Sequence, residues 1–107
     1  MATLISLGPE LDWQASGGLF DWTLEFLIDR LEDDEAIDRL REIVDNNLGS
    51  LWLSDLPPRA VPDALRLLAD ELIPAGERAL PDGDHKTYAI EQLRTLAALA
   101  DHVRARA

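Results

Sequence analysis

The chain has 107 residues, no cysteine, and 21 acidic against 10 basic residues, a formal net charge of −11. That length suits one domain with a single hydrophobic core, and the absence of cysteine excludes disulfides and thiolate metal sites. No apolar run approaches the ~20 residues needed to cross a bilayer, so no membrane-spanning helix is expected.

The charge is unevenly spread. Residues 1–55 hold thirteen acids and three bases (Arg30, Arg39, Arg41), a net of −10, whereas residues 56–107 hold eight acids and seven bases, a net of −1. Such a field repels nucleic acid and anionic lipid and speeds encounter with a cationic partner. It also keeps a small protein soluble, which is the plainer reason for it. The start, MATLISLGPELDW, has neither a basic leader region nor a long apolar stretch, so it does not read as a signal peptide. A cytoplasmic location is the expectation.

"ATLISL" alternates weakly and reads as a short strand or extended arm, with no second convincing strand to pair with it. "GPELDWQASGG" reads as a loop, with Trp13 folding back over the core. From Leu19 a helical period takes over. Stepped at about 100° per residue, Phe20, Leu24, Leu27, Ile28 and Leu31 share about 100° of arc, the stripe of a core-facing helix. Burial of each such side chain contributes about 1.5–3 kcal/mol before entropy is charged against it.

Asp33 or Asp34 is placed to cap a second helix, from about Glu35 to Leu48. Its inner face carries Ala36, Ile37, Leu40, Ile43, Val44 and Leu48, and Gly49 ends it. Glu35 and Arg39 form a favourable i,i+4 pair on its back. After the prolines of "SLWLSDLPPRAVP", a third helix starts near Pro58–Pro62 and stops by Ile73, ahead of Pro74, with "AGERAL" adding another turn. Val61, Leu65, Leu68, Ala69 and Leu72 face inward. "PDGD" is a turn, and a last helix runs from Asp84 to about Arg104 with an inner face of Ile90, Leu93, Leu96, Ala97, Ala100 and Val103. The expected fold is therefore a single all-α domain over residues 1–107. It combines an N-terminal arm and loop (1–18) with a small bundle of about four helices (19–107).

Motifs for chemistry are missing. His85 and His102 lie about 25 Å apart on one helix and cannot share a metal. Asp82–Asp84 imitates a calcium loop for three residues and then fails, because Lys86 and Leu93 stand where acids belong. Ser50 and Ser54 have no His or Lys close in sequence to activate them. No catalytic residue, metal or cofactor is expected, and the chain reads as a non-enzyme.

The first helix has a second face. Asp21, Glu25, Asp29 and Glu32 fall at about 100–180° beside the core stripe, where like charges at i,i+4 cost a few tenths of a kcal/mol per pair. Trp22, Phe26 and Leu19 lie beyond them, at about 200–260°. One reading makes this helix central, with Trp22 and Phe26 packed on the N-terminal arm or on Trp52. The other makes Trp22 and Phe26 aromatic anchors ringed by carboxylates, an interface hot spot.

The candidate partner-binding set is Asp21, Trp22, Glu25, Phe26, Asp29, Glu32, Asp33, Asp34 and Asp38. By size and charge the chain is similar to small acidic bacterial inhibitors such as toxin-immunity proteins, which implies a basic protein partner such as a toxin or a nucleic-acid-binding protein. The alternatives are a nucleic-acid mimic and a structural or oligomerisation module. Direct binding of nucleic acid or membrane is not expected.

Overall fold

The N-terminal arm is a strand, and it has two partners. The computed structural model describes residues 3–106. In it β1 (Thr3–Ser6) is the middle strand of three, with β2 (Asp12–Ala15) antiparallel on one side and β3 (Ser50–Trp52) parallel on the other. Ile5 stands opposite both Trp13 and Leu51. A strand period of two puts these three on one face, and all three are buried against the helices. The expectation of an unpaired arm and an all-α chain is thus corrected to a mostly helical fold with a small N-terminal sheet. The missed strands are four and three residues long. One lies inside a Gly- and Ser-rich stretch, and the other joins the sheet only across two intervening helices.

Helix α1 (Gly17–Arg30) begins two residues earlier than its apolar period implies, because the Ser16 hydroxyl accepts the Leu19 N–H and caps it. Phe20, Leu24, Leu27, Ile28 and Leu31 are all buried, as the period requires. Asp33 caps α2 (Asp34–Asp45), accepting the Ala36 N–H at 2.9 Å.

The end of α2 differs from expectation. The helix stops at Asp45, and Asn47 (φ 53°) and Gly49 (φ 75°) take left-handed backbone to turn the chain into β3. Leu48 therefore lies past the last helical turn and is 49% exposed instead of facing the core. Arg39 pairs with Glu42 and Asp55, while Glu35 pairs with Arg59, so the expected Glu35–Arg39 bridge does not form.

Two short 3₁₀ turns, Leu53–Asp55 and Pro58–Ala60, lead into α3 (Val61–Arg66). A π turn follows at Leu67–Glu71 and continues directly into α4 (Leu72–Ala79), so the rod runs through Pro74 instead of ending before it. In a regular α-helix Pro74 would collide with the Asp70 carbonyl and leave it unbonded. Here the Leu72 N–H reaches back five residues to the Leu67 carbonyl, and the widened turn respaces the ladder just ahead of the proline.

Beyond that turn, α4 lies close against α5 (Asp84–Arg106). Gly76 is where they meet most closely: a Cβ there would sit 2.9 Å from Leu93 Cδ1 and 3.0 Å from Ile90 Cδ1. Both of those side chains are buried and have little room to give. The Trp13 indole N–H donates to the Gln92 carbonyl of α5 at 2.7 Å, fixing the sheet to the last helix.

Gly76→Val is expected to destabilise the fold by about 1–3 kcal/mol through overpacking. Leu93→Ala costs about 2–5 kcal/mol on its own through the cavity it leaves. In urea unfolding the double variant should lose less than the sum, because each change relieves the other.

Candidate functional site

On α1, Asp21, Glu25 and Asp29 lie along one side, Asp21 half-buried and the other two exposed, and Glu32 is exposed just past the helix, in the connector to α2. Asp34 and Asp38 follow at the start of α2, also exposed. Among the described residues none of these six carboxylates has an Arg, Lys or His within 4.0 Å. Three nearby cations are committed elsewhere: Arg30 reaches Glu71, Arg39 reaches Glu42 and Asp55, and Arg59 reaches Asp33 and Glu35, while Arg41, exposed on α2, is in no ion pair among the described residues. These six carboxylates therefore form no ion pair within the described chain.

Asp33 is different. One of its oxygens accepts the Ala36 N–H and the other accepts the Arg59 Nε–H at 2.6 Å. Its carboxyl is held below the ordinary range, chiefly by the Ala36 N–H and then by Arg59. It is used inside the fold, joining the start of α2 to the Pro58–Ala60 turn, and is not free for a partner.

The two aromatics of α1 also part company. Phe26 is buried, 3% exposed, and offers no surface of its own to a partner. Trp22 stacks on it with ring centroids 6.0 Å apart, and the Arg30 guanidinium sits over the Phe26 ring at 4.3 Å. The second apolar face of α1 is thus partly covered by the helix's own arginine. Trp22 remains half-buried, and Trp52, the other packing partner considered for it, is 49% exposed.

Trp22 also lines a groove of about 780 Å³ that sequence reasoning did not find. The groove is built from the end of β2, the first turns of α1 and α5, and the α4–α5 connection, with Leu19, Leu80 and Ala89 among its apolar lining. Residues so far apart in the chain give no local signal. Asp21, Glu25, Asp29 and Glu32 contribute nothing to its lining. Asp82 borders it and is bound to Lys86, whose ammonium also donates to the Glu77 carbonyl.

Among the described residues no cluster of three or more His, Asp or Glu side chains is placed to hold a metal ion. Among the described residues no helix is long and apolar enough to cross a membrane. No family model matches the chain, and neither does any curated protein or solved structure.

Two carboxyls with lowered pKa link the fold to acid stability: Asp33, and Asp70, whose shift comes first from its hydrogen bond to Arg104. A carboxyl depressed in the folded state stabilises it above the unfolded value, here the ordinary 3.8, and that stabilisation is lost as pH falls through the folded value. Asp33→Asn keeps a capping oxygen and loses the ion pair, whereas Asp33→Ala loses both. At neutral pH, Tm should fall in the order wild type, Asn, Ala. Melting curves taken across the acid range should show a shallower decline for both variants than for the parent.

Proposed function

We propose that the protein is a non-catalytic binding protein that docks a basic partner protein through the carboxylates of α1 and the start of α2. One observation carries this reading: Asp21, Glu25, Asp29, Glu32, Asp34 and Asp38 form no ion pair among the described residues, while Arg30, Arg39 and Arg59 serve other acids. Like charges on neighbouring helical positions destabilise a helix unless a cationic surface relieves them. A facing basic surface would gain steering and specificity from the same row, with Trp22 supplying aromatic contact at its edge. The inhibitor or immunity type of protein is the form of this function that suits the charge and size. Phosphate mimicry suits the row less well, because its carboxylates recur about every 6 Å along the helix while phosphates recur every ~3.4 Å along a strand.

The test is to immobilise the protein, identify what it retains at low ionic strength, and measure affinity for that species. A basic protein released by salt is expected. Charge reversal by Glu25→Lys with Asp29→Lys should raise its Kd at least about tenfold, or about 1.4 kcal/mol, with Tm unchanged or slightly raised. Retention of only neutral or acidic proteins, or affinity indifferent to the double reversal, overturns the reading.

A further inference from the structure

The groove beside Trp22 has an open strand edge as one of its sides. Just outside the β1–β2 ladder the Leu7 N–H bonds to the Leu11 carbonyl, and bonded pairs in an antiparallel ladder recur at every second residue. Trp13 and Ala15 therefore pair with β1, and the backbone N–H and C=O of Asp12 and Gln14 point the other way, to the free edge. No other element hydrogen-bonds to Gln14 among the described residues, and Gln14 lines the groove. Leu19, Trp22, Leu80 and Ala89 give the same groove apolar surface. An unpaired edge beside an apolar channel matches the way extended peptides are captured: main-chain bonds give affinity and every second side chain enters the channel.

The charge around it selects the partner's composition. Asp12 is exposed at the start of the free edge, where an added strand would set a side chain opposite it, while within the groove lining the Asp82 carboxylate is already paired with Lys86. The Lys86 ammonium is already bound to Asp82 at 3.1 Å and to the Glu77 carbonyl at 2.7 Å.

We propose that this groove receives an extended segment of a partner chain, which adds to β2 as a fourth strand and alternates apolar side chains with Lys or Arg. This goes beyond the docking role of the α1 carboxylates and does not depend on it.

The experiment pans short random displayed peptides against the full chain, then measures an enriched peptide by calorimetry and by Trp fluorescence. Enriched sequences should alternate apolar and basic residues. N-methylation of the synthetic peptide at alternate residues should weaken binding at least about tenfold in one phase and little in the other, with the protein itself unaltered. Gln14→Pro, which removes an N–H that β1 does not use, should weaken binding to a similar extent, and Ala89→Trp should abolish it by filling the groove. Glu25→Lys with Asp29→Lys should leave it nearly unchanged, so loss of the α1 docking role and loss of the strand site are read separately. Three results overturn the proposal: no enrichment over the Ala89→Trp protein, binding indifferent to N-methylation in both phases, or occupancy of the groove by the small anionic aromatic dye 8-anilinonaphthalene-1-sulfonate with no peptide retained.

Discussion

The bond from the Trp13 indole to the Gln92 carbonyl joins two parts of the chain 79 positions apart, and much of the architecture depends on that attachment. Trp13 is 2% exposed, so its large ring contributes apolar burial as well as a satisfied donor. It anchors β2 to α5, and β2 in turn holds β1, which holds β3. Ile5 and Leu51 close the same face. Short isolated strands are marginal in water, so this anchor and the burial of Ile5 and Leu51 together hold the sheet on the helices. The groove beside Trp22 exists because the sheet edge and α5 are held at this separation.

Charge is organised on a separate plan. The acids that meet arginines do so mostly at joints between elements: Asp33 and Glu35 with Arg59, Asp55 with Arg39, Asp70 with Arg104. Surface pairs of this kind each contribute little to stability, but they fix where cations are spent. Arg30 is taken up twice, over the Phe26 ring and toward Glu71, although it belongs to the same helix as the acidic row. The result is a helix whose positive side chain lies over aromatic surface while its carboxylates face water.

The helices were readable because burial with a period of 3.6 leaves a strong trace over ten or more residues. The inner faces of α1 and α5 appear in the structure with the members that periodicity assigns, apart from a half-buried Val103. Strands β2 and β3 are too short for alternation to register, and β3 owes its existence to a partner strand at the other end of two helices. Pro74 reads as a stop signal from local sterics alone, and the π turn that accommodates it has no such local mark. Trp22 and Phe26 are both aromatic on the same helix face, yet only packing from other elements decides that one is buried and the other lines a groove.

The parallel pairing of β1 with β3 sets an order on synthesis of the chain. Strand β1 emerges before β2 and both helices, but its neighbour on that side comes only after both α1 and α2 have been made. Non-local pairing waits on the closure of the intervening loop, whereas the β1–β2 hairpin closes within a few residues. While the ribosome is still working on α2, then, the nascent chain carries a hairpin with one side uncovered. That side, with Leu4 and Ser6 awaiting Ser50 and Trp52, is sealed only when the folding helices return the chain to it.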